Sequence, residues 1–513
     1  MQKQSCEKGI KKENDMKTSV KRILICLLAA IALFSCGCGK TPAKSFDTES
    51  AGDTESEVRY ADPFAGTDYG GKSLRLSSSN DATDATNAHR FIAGAGEMKG
   101  EIVNDAVYTR NETVQELLNI KLDITPSEWT YSNATAEVEK LVLAGDGLFD
   151  VVINDLQSLA ELSASGYFHP VLQTGILDFD QTYWYRDAIE NLIVVPGAAY
   201  LLIGDYFMDS IASVHVLYYN KQTIEDHTGS ADTVQSMVLD GAWTVDEMIR
   251  LKTEMAVDLN GDGKMEEGDR FGYTVIGSWG PMIPVLMGFD VQFIENEGGT
   301  IRYCFNNERS VKILEKMNEL YWTDGTLQDT AAHSPEDLRL KFTNGETVFV
   351  GYLRLSDLEN LREVEFPMGI VPYPKLDAAQ SHYVSSLHLT TEVGALPVTV
   401  PTGDLPFVFT CLEVLCRETS KTVMPTYYEE ALKVKYVGGA EDAAMIDLIH
   451  DSVTSSFGLA YNRSLSKFLL QSGYLEPLSK KQTDFASAYA KSESAGIAAL
   501  EKLIASFREH IPQ

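Results

Sequence analysis

Cysteine is scarce in this chain: 513 residues carry seven, at positions 6, 26, 36, 38, 304, 411 and 416. That excludes a disulfide framework, and no CxxC pair offers a metal site. Cys411 and Cys416 lie five apart in a segment that reads as helix, which turns them to different faces, so with Cys304 they are expected to be small buried hydrophobes. Positive charge is also in deficit, with 43 Lys and Arg against 74 Asp and Glu and a net charge of -31. Phosphate recognition needs a basic face, so nucleic acid is excluded as a partner, and an anionic bilayer would repel the body of the protein. No apolar run reaches the about 20 residues that span a bilayer. HExxH, GxSxG and Walker A signatures are absent. The glycines of Gly94-Ala95-Gly96 through Gly100 are wrongly spaced for a phosphate loop. Of nine histidines only His382 and His388 are close in sequence, at no metal-ligand spacing, and solvated or core-satisfied rings are expected.

The segment that is most informative is short. Ile23 to Phe34 is a twelve-residue apolar run preceded by Lys17, Lys21 and Arg22 and followed by Ser35-Cys36-Gly37. A basic start, a run too short to span and small residues at its end mark an export signal over residues 1–35, with Met16 as its expected start. Leu33-Phe34-Ser35-Cys36 resembles the bacterial lipobox, which implies acylation of Cys36. The body would then sit on the extracytoplasmic face of the cell membrane through a lipid anchor. Residues 36–72, rich in Ser, Thr, Asp, Glu and Gly, are expected to be a flexible stalk.

The whole chain is 44% hydrophobic and 10% aromatic, the apolar content of a packed protein, and the fold is expected to begin at about residue 73. Leu74 and Leu76 alternate with polar neighbours as a strand. Val107, Val114 and Leu118 fall at helical spacing, and Ile120, Leu122 and Ile124 alternate again. A second helix through Val138 and Leu141 leads by Gly145-Asp146-Gly147 into Val151-Val152-Ile153. Strand, helix, strand, helix, strand is the order of a parallel α/β sheet. Ligands of such sheets bind beyond the strands' carboxyl ends, here Asn80 and Asp81, and Asn154 and Asp155. Further strands are expected at 200–206, 214–220 and 271–275, and helices at 311–321, 335–342, 405–416 and 497–507. Thr244 with Glu247 reads as a capping box.

Asp258, Asn260, Asp262, Lys264, Glu266 and Asp269 occupy positions 1, 3, 5, 7, 9 and 12 of a loop with glycine at position 6, Gly263. Oxygen donors at this spacing, with the backbone carbonyl at Lys264, suit calcium. Asp269 stands where a longer glutamate is usual, and a strand rather than a helix is expected afterwards. A structural calcium site is therefore expected, not a helix-loop-helix sensor.

The segments LAGDGLFDVVI (143–153), VLYYNK (216–221), GAWTVDE (241–247), the acidic loop ending DRFG, FTNGETVF (342–349) and MGIVPYPK (368–375) follow one another in an order that resembles the extracellular solute-binding proteins of bacterial ABC importers, of the carbohydrate-type, maltose-binding family. The resemblance implies an α/β, two-lobed periplasmic-binding-protein-like fold with crossing hinge strands. One lobe would take 73–208 and 376–435, the other 209–375 and 436–513. It also implies a carbohydrate held between the lobes and handed to permease subunits, without catalysis. Matching positions for the ligand are Asn154, Asp155, Asp205, Tyr206, Trp279 and Tyr352, while Trp243 reads as packing. Two alternatives stay open: a secreted calcium-containing carbohydrate-active enzyme, and a surface adhesion or scaffold lipoprotein.

Overall fold

A computed structural model describes residues 63–79, 88–172, 175–278, 280–297, 299–329, 334–432 and 440–510. Export segment, Cys36 and most of the stalk lie outside the described residues, as do Asn80, Asp81 and Trp279.

Two five-stranded sheets organise the chain. The first takes β1 (Lys72–Ser79), β2 (Ile120–Ser127), β3 (Val151–Asp155), β4 (Leu201–Leu202) and a late strand from near residue 392, in the order β2-β1-β3-late strand-β4. β1 runs parallel to both β2 and β3, as the strand and helix alternation requires. β3 is buried throughout, which explains why its residues form an unbroken apolar run ending in two polar groups. β2, at the edge, alternates from Lys121 to Thr125 between exposed and half-buried residues. Gly145, at φ 68°, ends the helix Ala134–Ala144 in the left-handed conformation and turns the chain toward β3.

The second sheet takes β5 (His215–Asn220), β6 (Phe271–Ile276), β9 (Thr326–Asp329), β10 (Thr347–Arg354) and β11 (Met368–Val371), in the order β11-β5-β10-β6-β9. Strands β6, β9 and β10 are parallel, and β5 runs against β10 and β11. The hairpin β7 (Ile294–Glu297) and β8 (Thr300–Tyr303) stands outside this sheet. The late strand of the first sheet is β13 (Glu392–Ala395), antiparallel to β3 and β4. The chain therefore crosses between sheets twice, after β4 and after β11. Beside the crossings β12 (Ser385–Ser386) pairs in parallel with β14 (Val453–Thr454).

Three local expectations are corrected. The strand expected over 200–206 shrinks to β4. Thr244 begins the helix Val245–Glu254 but its side chain makes no capping hydrogen bond; Lys375 O accepts the Val245 N–H at 2.8 Å, and the two segments are bridged in parallel. The capping box lies instead at Ser334 and Asp337. Last, the carboxyl-terminal helix Phe485–His510 is 26 residues long and starts well before Ile497. It packs close against Phe468, where a Cβ on Gly496 would stand 2.2 Å from the ring. Ser506 Oγ donates to Ala164 O at 2.8 Å, tying this helix to the first sheet's flank, while the preceding segment reaches the second sheet's flank through Trp322 Nε1 to Leu478 O, also 2.8 Å. Cys411 and Cys416 are buried and unbridged, and Cys304 is half-buried. Trp243 is fully buried, its indole N–H on Pro372 O at 3.1 Å, a packing residue.

Candidate ligand-binding cleft

The carboxyl ends of β1, β2 and β3 carry a polar and aromatic cluster. Ser79 Oγ donates to Trp129 O at 3.4 Å, and Ser78 Oγ shares a hydrogen bond of 2.7 Å with His89 Nδ1. Trp129 and Tyr131 follow β2 and are half-buried. Tyr131 donates its hydroxyl to Gln157 Oε1, and Gln157 Nε2 donates to Leu459 O at 3.1 Å. The Arg463 guanidinium lies over the Tyr131 ring, 4.4 Å from its centroid. One face of that ring is thus covered by a guanidinium and its hydroxyl end is anchored.

At the matching end of the second sheet stands Tyr352, near the end of β10. Its φ is 70°, a left-handed conformation that costs a bulky residue energy and is held here by the Tyr352 N–H donating to Tyr373 Oη at 2.9 Å. The ring is stacked on His215, centroids 4.9 Å apart and planes 16° from parallel. Gly280 comes so close that a Cβ there would be 3.2 Å from the Tyr352 hydroxyl. His215 in turn meets His388 edge-on at 5.0 Å, and His388 Nδ1 is 2.9 Å from Thr390 Oγ1. Burial, with the Arg354 cation nearby, lowers the His388 pKa to about 3, and burial with His388 and Arg354 holds His215 well below its usual range. Both imidazoles are neutral at physiological pH, so Tyr352 is backed by an uncharged ring.

The two ends face one another. Arg90, which follows the loop after β1, forms a two-bond fork with Glu359, which follows β10, at 3.0 Å for each bond. Arg354 Nη2 reaches Thr390 Oγ1 at 3.4 Å, and Ser213 Oγ meets Thr391 Oγ1 at 2.8 Å along the crossings.

Beneath this surface lie three buried carboxylates. Asp155 opposes Glu392 in the β3 and β13 register, and Asp209 Oδ2 accepts the Glu392 N–H at 2.8 Å. Asp155 Oδ1 caps the helix Leu156–Ala164 by accepting the Ser158 N–H at 2.8 Å. Among the described residues, Asp155 Oδ2 and Glu392 Oε2 are buried without a hydrogen-bond partner. Burial pushes the pKa of Asp155 up to about 7 against the pull of the Ser158 N–H, and that of Asp209 to about 6 against the Glu392 N–H. Burial, with Asp209 nearby, carries Glu392 well above the usual carboxylate range.

No family model and no curated protein matches this sequence. Solved structures do match the fold. The sugar-binding protein MalE from the phytopathogen Xanthomonas citri is 12% identical, with a TM-score of 0.54, over 85% of this chain and 98% of its own. UspC from M. tuberculosis is 12% identical, with a TM-score of 0.53, over 83% of this chain and 100% of its own. The ABC substrate-binding protein Lmo0181 from Listeria monocytogenes, in complex with cycloalternan, is 13% identical, with a TM-score of 0.51, over 84% of this chain and 99% of its own. This chain has the two-lobed solute-binding-protein fold.

Within the solute-binding-protein fold, the residues expected from sequence separate into groups. Tyr352 stands at the cleft, half-buried. Asn154 and Asp155 are at the right strand end but below the surface: Asn154 Oδ1 accepts the Asp155 N–H at 2.8 Å, and its amide points at Trp129 O, 3.5 Å away. Asp205 and Tyr206 are corrected, for neither lines the cleft. Asp205 is 2% exposed, accepting the Tyr185 hydroxyl at 2.9 Å and facing His450 Nε2 at 3.3 Å. Tyr206 is fully buried beneath the Arg110 guanidinium, 4.9 Å from the ring. Their place next to the first crossing is right in sequence, but their side chains turn inward, Asp205 to Tyr185 and His450 and Tyr206 to Arg110, while the Tyr206 backbone N–H meets Cys416 Sγ of the helix Leu405–Glu418 at 3.4 Å. Trp129, Tyr131, His215, Arg354 and His388 were not anticipated, and only the aromatic pair in Trp129-Thr130-Tyr131 could have been noticed as an unpatterned polar and aromatic stretch.

Asp205 is therefore a stability residue. Asp205→Ala is expected to destabilise the protein by about 1–3 kcal/mol, because the Tyr185 hydroxyl and His450 lose a buried partner. Burial works against a charged His450, yet the carboxylates of Asp205 and Asp451 outweigh it and raise its pKa above 6.5. That contribution is complete below the unfolded value and lost as pH rises through the folded one. Urea unfolding should show a larger loss in the mutant near pH 5.5 than near pH 8.

The acidic loop closes on itself. Asp258 accepts the N–H groups of Gly261 and Gly263 at 2.7 Å each, Asn260 that of Asp262 at 2.8 Å, and Asp262 that of Lys264 at 2.9 Å. Asp269 accepts those of Glu266 and Leu259 at 2.9 Å, which hold its carboxyl below the usual range. Lys264 and Glu266 are exposed. Oxygens engaged this way keep lone pairs for a hard cation, so the donor chemistry suits calcium. Among the described residues, however, no three acidic, histidine or cysteine side chains converge on one point.

Proposed function

We propose that this protein is the lipid-anchored receptor of an ABC importer, which binds a carbohydrate between lobes formed by 73–208 with 376–435 and 209–375 with 436–513 and delivers it to permease subunits. The observation that carries this reading is a cleft with half-buried aromatic rings on both sides, Trp129 and Tyr131 on one and the His215-backed Tyr352 on the other. A pyranose has apolar C–H faces that stack on such rings and hydroxyl edges that Arg354 can meet. The sugar named in the Listeria relative's complex, cycloalternan, supports the same ligand class. Binding without turnover is proposed, and the sequence-based expectation that Asn80, Asp81 and Trp279 contact the ligand is kept as part of the proposal, those residues lying outside the described ones.

A thermal-shift screen of the protein against mono- and oligosaccharides tests this reading. A ligand at 100 times its dissociation constant should add about 2.7 kcal/mol of stability. Release of shorter sugars in the same samples would favour a carbohydrate-active enzyme instead. Two attributes accompany the proposal. Cys36→Ala is expected to release the protein from the membrane fraction, and a wild-type protein without an acyl group would refute the anchor. Calcium in the loop 258–269 is supported by its oxygen spacing; a chelator is expected to lower the melting temperature of the wild type but not of Asp262→Ala, and equal melting with and without calcium would remove the ion.

A further inference from the structure

Three lysines are buried among the described residues, and two are fully partnered. Lys221 pairs with Asp232 and Asp442, each at 3.1 Å. Lys252 donates to Thr323 O, Thr323 Oγ1 and Asp324 O at 3.2, 3.0 and 2.8 Å. Lys375 is different. It is 4% exposed, its Nζ lies 5.2 Å from the centroid of the Tyr383 ring, and no acceptor or carboxylate among the described residues stands within bonding distance of it. Its stem is buried, and the amine is left with the Tyr383 face on one side and an open groove on the other.

The amine is held where it is. Lys375 N–H donates to Trp243 O at 3.1 Å and its carbonyl accepts the Val245 N–H at 2.8 Å, so the backbone is fixed on both sides. The side chain opens on a groove of about 860 Å³ beside β14. Gly241 faces it with no side chain, a Cβ there lying 3.4 Å from Nζ, and its φ of 68° keeps the position to glycine. Leu239 and Leu448 give the groove apolar wall. Its acidic rim is already engaged or remote: Asp290 accepts from Gln292 Nε2 at 2.7 Å, Asp451 faces His450 Nδ1 at 3.2 Å, and Asp187 is exposed.

We infer that this groove is a second binding site, in which Lys375 and the Tyr383 ring receive a small ligand through one anionic oxygen group, a carboxylate or a phosphate. The rim carboxylates disfavour a polyanion and offer acceptors to hydroxyl or amine donors elsewhere on the ligand, which selects a singly anionic, otherwise polar molecule. The site is separate from the carbohydrate cleft and does not depend on it. Because its wall is shared by Asp187 and Asn191 near the first sheet and by Leu239, Gly241 and Lys375 near the second, an occupant there contacts both sides of the crossings.

The test is lysine acetylation of the wild-type protein read by mass spectrometry, with inorganic phosphate or acetate added at constant ionic strength against a chloride control. At ten times the dissociation constant of the protecting anion, acetylation of Lys375 is expected to slow about tenfold while exposed lysines such as Lys140 react unchanged. Protection by phosphate alone, or by acetate alone, identifies the group. Equal rates at Lys375 in phosphate, acetate and chloride overturn the site. In parallel, Lys375→Met, which keeps the chain's length over Tyr383, should lose the anion-specific rise in melting temperature seen in wild type. Should that variant not fold, the acetylation result on wild type decides alone, and sugar binding at the cleft is unaffected by either outcome.

Discussion

Tyr352→Ala should weaken carbohydrate binding by about 10- to 100-fold, the cost of removing one well-placed aromatic anchor. Its ring has a rigid, uncharged backing: His215 lies stacked against it, and burial holds that imidazole's pKa well below its usual range. Its strained backbone is fixed by Tyr373, so little ordering remains to be done on binding. Stability should change by less than about 1 kcal/mol, since the side chain is only half-buried. Tyr352→Phe should retain most of the affinity if stacking dominates. Calorimetric titration of both variants with whichever sugar stabilises the wild type separates these contributions, and an alanine variant that binds as wild type does would take Tyr352 out of the site.

A second large effect concerns the buried acids. Asp155 titrates at about 7 and Asp209 at about 6 in the folded protein, both lifted chiefly by burial from an ordinary 3.8. Carboxyl groups raised in this way favour the folded state when protonated: the contribution is complete below the unfolded pKa and is lost as pH rises through the folded one. Stability should therefore fall between about pH 4 and pH 7, by on the order of 3 kcal/mol from Asp155 alone. Asp155→Asn keeps an oxygen for the Ser158 N–H and removes the titration. It should flatten the profile and leave the variant more stable than wild type near pH 8. Denaturant unfolding across that range measures it, and a wild-type profile that rises from pH 5 to pH 8 would contradict the buried-acid arrangement.

Much of this architecture is legible in the chain because burial on both faces imposes a continuous apolar run. Val151 to Ile153 and His215 to Asn220 are buried strands of the two sheets, and both stand out as such. The position of the cleft follows from the strand ends, which are fixed once the parallel order is known. Side-chain direction is harder. Asp205 and Tyr206 sit beside a crossing, yet nothing in Gly204-Asp205-Tyr206 says that they turn inward toward His450 and Arg110, since those partners are far away in sequence. Glu392 was invisible for the same reason: within Thr391-Glu392-Val393 it reads as a solvated strand position, whereas tertiary packing buries it between Asp155 and Asp209. Thr244 shows how a local motif can fail in its tertiary setting: its side chain caps nothing, and the first helical N–H, that of Val245, goes to Lys375 O from the crossing.

The decisive measurement is small-angle X-ray scattering of the protein with and without a saturating oligosaccharide, taking cycloalternan and the most stabilising sugar of the thermal-shift screen as the first probes. Two lobes joined by crossing strands shut on a ligand by hinge motion, so the radius of gyration should fall on binding. A radius that stays the same at sugar concentrations that saturate a calorimetric signal, or the absence of any such signal with every sugar tried, would contradict a carbohydrate receptor that closes between its lobes.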